Sequence, residues 1–269
     1  MKIGFFITAR LKSTRLKQKI LLDLNGKSVI DRIIERAKRI DGIDGIVLCT
    51  STNPQDAVLQ NNALSNNIQF FTGSEDDVLK RLHDAADHYN YDAFISITAD
   101  NPLFCIETSK LLSDWYKETK FDFIFTKGLP IGCATYLLNV EALKLAIQIK
   151  EESDTEMWGP FVNRDDFFRI GDLVVINSPF KEEKRLTIDY PEDYQLIHKI
   201  YKNFGSENVP SLVEVFEILD DNYWKLNIER SQRFPSSEEL EKVNNAFESF
   251  KKTNDIKRKT GRSIKEVNI

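Results

Sequence analysis

Five cationic side chains lie within ten residues near the start of the chain. They follow the apolar run 3–7, which predicts a buried β-strand, and they are Arg10, Lys12, Arg15, Lys17 and Lys19. Ligands of open α/β sheets bind beside the carboxyl ends of the strands, so a loop at this position lies where a ligand is expected. Guanidinium and ammonium groups bind phosphate oxygens through charge-assisted hydrogen bonds. The loop therefore predicts a polyphosphate site, against the alternative of a solvated basic surface loop.

Two aspartates follow later strand-like segments and point to a metal ion. Asp100 comes after the fourth such segment, and Asp189 precedes a helix that starts at a proline. A lone aspartate at such a place is as often a turn former, but a second carboxylate near a basic loop favours Mg²⁺. That ion takes one or two carboxylates and completes its octahedron with phosphate oxygens and water. Arg185 alternates with Asp189 along one face of the predicted strand, so it either faces the same cleft or forms a salt bridge at its rim.

Length, charge and cysteine content exclude several classes of protein. A chain of 269 residues suits one large α/β domain, or one domain with an appendage. The net charge of −5 argues against nucleic acid as a partner. Because no apolar run approaches the roughly 20 residues of a membrane helix, we expect no membrane partner and a cytoplasmic location. The cysteines show neither a disulfide framework nor a zinc-binding spacing.

Strand-like and helix-like segments alternate over the first half of the chain. Strands are predicted at 3–7, 43–50, 68–71 and 93–99, with helices at 28–40, from 53, at 74–88 and at 106–117. This alternation is typical of a mainly parallel sheet with helices on both faces. The carboxyl ends of the strands then meet at one edge, which places Asp100 beside the basic loop.

The second half of the chain is less regular. Strands are predicted at 121–126 and 134–139, a helix at 141–150, an antiparallel or edge element at 166–176 and 184–188, and a helix at 191–204. We expect an α/β domain over residues 1–205 and a helical C-terminal extension over 206–269. The extension is predicted to end in a solvated helix and a charged, frayed tail.

Four segments, in order along the chain, resemble the motifs of the cytidylyltransferases. They read I-T-A-R-L-K-S-T-R-L-K-Q-K from residue 7, G-S-E-D-D-V-L-K-R from residue 73, T-A-D-N-P-L from residue 98, and R-L-T-I-D-Y-P-E-D-Y from residue 185. This family includes the CMP-KDO synthetases, the acylneuraminate cytidylyltransferases and the spore-coat polysaccharide (SpsF-type) group, which the motifs resemble most. The resemblance covers about residues 1–203, and the co-occurrence of four motifs is far more specific than any one of them.

The resemblance implies a CTP-dependent nucleotidyltransferase on a Rossmann-like, mixed and mainly parallel sheet of the nucleotide-diphospho-sugar transferase type. It also implies a homodimer. It implies nucleotide-binding residues at Ala9, Arg10, Ser13, Arg15, Lys19, Ser74 and Asp77. It implies catalytic roles for Arg15, Lys19 and Asp100, and it implies that Asp100 and Asp189 bind Mg²⁺.

The implied reaction transfers CMP from CTP to a small acidic acceptor, with release of pyrophosphate, for surface polysaccharide biosynthesis. The acceptor is expected to be a 2-keto-3-deoxy sugar acid, with a phosphonate as the other option. An acidic acceptor needs a cation in its pocket, and Lys127, Arg164 and Arg169 are the candidates.

The chain departs from the family pattern at three places. Lys17-Gln18 replaces the usual Pro-Gly before the loop lysine, Tyr136 stands where the SpsF-type group usually has an acidic residue, and Met157 replaces a histidine. The last two lie in the half expected to hold the acceptor, so the sequence leaves the identity of the acceptor open.

Two other functions also stay open: a glycosyltransferase that uses a nucleotide sugar, and a non-catalytic nucleotide-binding homologue. The glycosyltransferase would need Asp-x-Asp where this chain has Asp100-Asn101-Pro102.

Overall fold

One mixed sheet organises the chain. The structure, a computed structural model, describes residues 1–151, 155, 157–180, 182–230, 234–254 and 258–269. Its strands are β1 (Ile3–Thr8), β2 (Gly45–Ser51), β3 (Gln69–Gly73), β4 (Ala93–Thr98), β5 (Phe123–Lys127), β6 (Tyr136–Asn139), β7 (Arg169–Val175) and β8 (Gly261–Val267). They lie in the order β3-β2-β1-β4-β6-β5-β7-β8. Within the described residues β6 runs antiparallel to β4 and β5, and the remaining pairs are parallel, which confirms the predicted mixed, mainly parallel sheet.

The helices lie between the strands and after them. They are α1 (Val29–Ala37), α2 (Leu59–Ser65), α3 (Val78–His88), α4 (Ile106–Thr119), α5 (Val140–Ile149), α6 (Gly159–Val162), α7 (Pro191–Tyr201), α8 (Leu212–Ile218), α9 (Asp221–Trp224) and α10 (Ser237–Thr253). Among the described residues no helix combines the length and the apolar character needed to cross a membrane. The segment 184–188 is not a strand, and it makes only an isolated bridge between Arg185 and Ile131.

Helices cover both faces of the sheet, as the alternation of elements predicts. Ile3, Phe5 and Ile7 of β1 belong to the core shared with α1, α2, α4, α7 and α8. Phe6 faces the other core, which is shared with α3, α5, α6 and α10. A strand covered on both faces is apolar throughout, which explains why β1 was recognisable as a continuous apolar run.

The C-terminal tail is a strand of the sheet, so the prediction of a frayed tail is wrong for residues 261–267. β8 pairs in parallel with β7 from Gly261 to Val267. Its charged residues reflect its position at the sheet edge, where charges on a solvated face are normal. Arg262 donates to the buried Asp172 at 2.8 Å and to Asp165 at 2.9 Å. The boundary at residue 205 stays a prediction, although α8 and α10 pack against the two cores of the sheet.

Arg36 of α1 connects the start of the C-terminal extension to the sheet. Its side chain is fully buried, and its guanidinium donates to the carbonyl of Phe104 at 2.6 and 3.0 Å. The same group donates to the carbonyl of Pro210 at 2.5 Å. A buried carbonyl that loses its hydrogen-bond donor is left with an uncompensated desolvation cost. Arg36 therefore stabilises the contact between the segment before α4 and the segment before α8.

Replacing Arg36 with methionine should lower the free energy of unfolding by about 3 kcal/mol, because two buried carbonyls lose their donors. Urea unfolding followed by circular dichroism measures the change. Arg39→Met provides the control, since Arg39 is exposed just beyond the same helix. Equal effects of the two substitutions would show that the buried guanidinium does not stabilise the junction.

Candidate active site

The carboxyl ends of β1, β4 and β5 meet at one edge of the sheet. The basic loop leaves β1 there, Asp100 follows β4, and Lys127 ends β5. Two adjoining cavities open at this edge, with volumes of about 390 and 640 Å³. Arg15, Thr98 and Asp100 line both cavities, so the junction between them lies at these residues.

The smaller cavity gathers the residues of the basic loop. The predicted site residues that line it are Ala9, Arg10, Ser13, Arg15, Lys19 and Asp100. Tyr136, one of the departures from the family pattern, lines it as well, and its ring lies 4.7 Å from that of Trp158. The cavity therefore has a cationic side and an aromatic side, which suits a ligand with both phosphate and ring groups.

Lys19 lies between the two aspartates that the sequence singles out. Its ammonium nitrogen is 2.6 Å from Asp100 Oδ2 and 2.9 Å from Asp189 Oδ1. Arg15 also donates to Asp189 Oδ1, at 3.0 Å. The side chain of Lys19 is only 11% exposed. The cationic turn and both carboxylates thus form one cluster, as the sequence predicts.

The charges of this cluster shift the pKa of its members in opposite directions. Burial alone would lower the pKa of Lys19, but Asp100 and Asp189 outweigh burial and raise it. Burial alone would raise the pKa of Asp189, but Lys19, Arg15 and Arg185 outweigh burial and lower it. Both shifts favour the charged forms, so the ion pairs persist across the neutral range of pH.

The N-terminus of α7 fixes the position of Asp189. The carboxylate of Asp193 accepts hydrogen bonds from the backbone N–H groups of Asp189 and Tyr190, at 3.0 and 3.1 Å. Arg185 bridges the carboxylates of Asp189 and Asp193 at 3.2 and 3.4 Å. The alternation of Arg185 with Asp189 in the sequence therefore reflects a direct contact at the cleft.

The backbone of the basic loop is held at two points. The buried carboxylate of Asp56 accepts the N–H of Leu11 at 2.8 Å and the hydroxyl of Ser51 at 2.5 Å. Further along, Gln18 has a φ of 49°, in the left-handed region that favours glycine. This is the position where the family usually has glycine, so Gln18 keeps the turn before Lys19 at a cost of about 1 kcal/mol.

Ser74 and Asp77 do not line either cavity. The Ser74 hydroxyl accepts the N–H of Asp77 at 3.1 Å, and Asp77 caps α3 by accepting the N–H of Lys80 at 3.0 Å. Val78 and Arg81 of the same motif line the smaller cavity instead. Arg81 is 2% exposed, and burial together with the charge of Arg10 lowers its pKa. Arg81 was not predicted as a site residue, although it ends the second family-like motif.

The larger cavity contains one of the three cations proposed for the acceptor. Lys127 lines it and donates to the buried Asp172 at 2.7 Å. Arg164 and Arg169 lie before β7 and at its start, so they belong to the opposite edge of the sheet. Arg185 and Arg230 line the cavity as well. Arg230 was not predicted, because it follows an irregular segment with no recognisable pattern.

Gly132 shapes the wall between the larger cavity and the loop after β4. Its φ is 93°, and a Cβ atom there would lie 2.7 Å from Asn101 Oδ1 and 2.9 Å from the carbonyl of Leu186. Contacts that short do not occur, so only glycine lets these segments approach. The close approach keeps Asn101 at the cavity wall.

The order and directions of the strands, with the site at the carboxyl edge of the sheet, define a Rossmann-like fold. The sequence profile of the cytidylyltransferase family matches residues 5–252. The chain therefore belongs to the cytidylyltransferase family, which confirms the resemblance seen in its four motifs.

Two curated relatives cover most of the chain. An uncharacterized protein of Methanocaldococcus jannaschii is 31% identical over 243 residues, which span 90% of this chain and 100% of that protein. The spore coat polysaccharide biosynthesis protein SpsF of Bacillus subtilis is 26% identical over 227 residues, which span 82% of this chain and 95% of SpsF.

Two solved structures show the same fold. A cytidylyltransferase from Leptospira borgpetersenii superposes with a TM-score of 0.77 at 24% identity, covering 87% of this chain and 100% of that chain. A CMP:2-keto-3-deoxy-manno-octonic acid synthetase, solved in complex with CTP, superposes with a TM-score of 0.62 at 14% identity. That match covers 76% of this chain and 99% of the synthetase chain.

The pKa shifts predict how Lys19 stabilises the protein as pH changes. Because the pKa of Asp189 is depressed, its ion pairs stabilise the fold above the ordinary carboxyl pKa of about 3.9 and are lost as pH falls further. Because the pKa of Lys19 is raised, its contribution is complete below the ordinary lysine pKa of about 10.4. Lys19→Met should therefore lower the free energy of unfolding by about 2 kcal/mol between roughly pH 5 and 9, and by less below about pH 4.

Chemical denaturation at a series of pH values measures this difference. Lys17→Met is the matched control, since Lys17 lies two positions earlier in the same loop and is exposed. A Lys19→Met effect that stays constant down to low pH, or that equals the Lys17→Met effect, would contradict the assigned ion pairs.

Proposed function

We propose that the protein transfers CMP from CTP to a small acidic acceptor and releases pyrophosphate, with Mg²⁺ as the metal. The observation that carries this proposal is the cluster of Lys19, Asp100 and Asp189 at the junction of two cavities. Membership of the cytidylyltransferase family supports CTP as the nucleotide. The role of SpsF in spore coat polysaccharide biosynthesis supports surface polysaccharide biosynthesis, and the octonic acid synthetase supports a 2-keto-3-deoxy sugar acid as acceptor.

The donor set of the cluster fits Mg²⁺. Asp100 and Asp189 offer carboxylate oxygens, both within hydrogen-bond distance of one cationic nitrogen. Across the described residues no group of three or more metal-ligating side chains occurs. Two carboxylates with the remaining positions left to phosphate and water are what this ion takes in nucleotide sites. When bound, it would neutralise phosphate charge and lower the pKa of the attacking oxygen.

The chain's own residues would bind and orient the triphosphate. Arg10, Ser13, Arg15 and Lys19 line the smaller cavity, where cations and a hydroxyl can hold the β- and γ-phosphates. The acceptor oxygen attacks the α-phosphorus, the bond to the pyrophosphate oxygen breaks, and negative charge moves onto the leaving group. Arg15 and Lys19 stabilise that charge. Because Arg15 lines both cavities, it lies where the two substrates meet.

Lys19 and a metal ion compete for the same two carboxylates in this proposal. The ammonium group pairs with both Asp100 and Asp189 before a nucleotide is bound. The phosphates of CTP offer Lys19 other partners, which frees both carboxylates for the metal. The site is therefore expected to take Mg²⁺ together with CTP rather than alone.

We also retain the expectations of a homodimer and of a cytoplasmic location, which the sequence suggested.

Pyrophosphate release tests the reaction. The protein is incubated with each of the four nucleoside triphosphates, Mg²⁺ and a panel of sugar acids and phosphonates. CTP with an acid should release pyrophosphate and form a CMP conjugate. Turnover of a nucleotide sugar with release of a nucleoside diphosphate would instead support the glycosyltransferase, and CTP binding without turnover of any acceptor would support the non-catalytic homologue.

Asp100→Asn should lower kcat by about 10² to 10³-fold. The substitution keeps the shape of the side chain but removes a carboxylate charge that would hold Mg²⁺ at the phosphates. Its thermal unfolding should change little, because Lys19 keeps its ion pair with Asp189. Asp114→Asn, at a partly exposed position of α4 away from the site, is the control. Wild-type turnover by Asp100→Asn would rule out the catalytic role assigned to this carboxylate.

A further inference from the structure

The wall of the larger cavity has buried polar atoms with unused hydrogen-bonding capacity. Within the described structure, four of its lining side chains have a buried polar atom without a partner: Asn101 Oδ1, Thr126 Oγ1, Arg185 Nε and Arg230 Nε. Asn101, Thr126 and Arg185 are each more than nine-tenths buried. Native proteins satisfy most buried polar groups, so a concentration of unsatisfied ones in one cavity indicates a polar ligand.

The two arginines of this wall are held in place by other contacts. Arg185 uses one terminal nitrogen to bind Asp189 and Asp193. Arg230 donates from a terminal nitrogen to Glu192 at 3.1 Å, and its guanidinium lies 3.6 Å from the centre of the Tyr190 ring. These contacts leave the Nε–H of each arginine as an oriented donor. Two N–H donors from separate guanidinium groups suit an oxyanion.

Arg230 belongs to the C-terminal extension, outside the four family-like motifs. It reaches the site through Tyr190, whose ring centre also lies 5.1 Å from the guanidinium of Arg15. Tyr190 therefore contacts both an arginine of the nucleotide loop and an arginine of the extension. Arg15 lines both cavities, whereas Arg230 lines the larger cavity and not the smaller one.

We propose that Arg230, together with Arg185, binds the oxyanion of the acceptor, so that the C-terminal extension determines which acids the enzyme accepts. The amide oxygen of Asn101 and the hydroxyl of Thr126 then bind hydroxyl groups of the same molecule. The ligand class is a hydroxylated small acid, whether its oxyanion is a carboxylate or a phosphonate. This inference rests on the proposed function, because it assigns the acceptor to the larger cavity.

Calorimetric titration of the full chain tests the inference, with Mg²⁺ and a non-hydrolysable CTP analogue present. The carboxylate probes are 3-deoxy-manno-octulosonate and N-acetylneuraminate with their neutral methyl esters, and the phosphonate probe is 2-hydroxyethylphosphonate. At least one acid should bind, and a carboxylate should bind more tightly than its ester. Arg230→Gln should weaken that acid about tenfold, Arg230→Lys should restore part of the loss, and affinity for the CTP analogue should not change.

Arg164→Gln is the matched control. Arg164 also pairs with a carboxylate, Asp166, and lies over an aromatic ring, that of Phe247, but it lines neither cavity. Its substitution should leave the affinity for the acid unchanged. Because Arg230 is partly exposed, its replacement should leave the fold intact, which thermal unfolding verifies.

Three results would overturn the inference: undiminished acid binding by Arg230→Gln, equal binding of acid and ester, or no binding of any acid while the CTP analogue still binds. The last result would leave the nucleotide part of the proposed function standing. Failure of the wild type to bind the CTP analogue would instead contradict the proposed function itself.

Discussion

The ammonium group of Lys19 is the interaction on which the site depends. It joins two carboxylates that lie 81 and 170 residues away in the sequence. Without a cation between them, Asp100 and Asp189 would repel each other in a place where water screens poorly. The basic loop, the end of β4 and the start of α7 must therefore reach the same edge of the sheet. The parallel arrangement of β1 and β4 brings the first two together. The segment before α7 joins them through the N–H of Ile188, which donates to the carbonyl of Asp100 at 2.8 Å.

Neighbouring residues hold the charged side chains of this cluster in position. Asp193 and Arg185 hold Asp189 at the start of α7, and Asp56 holds the first part of the basic loop. Because these contacts use buried or partly buried groups, the side chains that face the cavities are positioned before any substrate binds. The two cavities meet at Arg15, Thr98 and Asp100, which suits a reaction that depends on the alignment of two substrates.

The sequence predicted the sheet and the central cluster because both follow from strong local patterns. A strand buried on both faces is an apolar run, and the loop that follows it must lie at the ligand edge. β8 was not predicted, because a charged strand at the sheet edge has no continuous apolar run. Arg164 and Arg169 were misplaced because only the direction of β7 shows at which edge they lie. Arg230 depends on a contact with Tyr190 that no local pattern reveals.

Binding of Mn²⁺, measured by electron paramagnetic resonance, tests most directly whether Lys19 and a metal share the two carboxylates. The wild type alone should bind Mn²⁺ weakly, and it should bind the ion tightly once CTP is added. Lys19→Met, in which Asp100 and Asp189 no longer pair with Lys19, should bind Mn²⁺ more tightly than the wild type in the absence of CTP. Tight binding by the nucleotide-free wild type, or no gain in Lys19→Met, would contradict the competition between Lys19 and the metal.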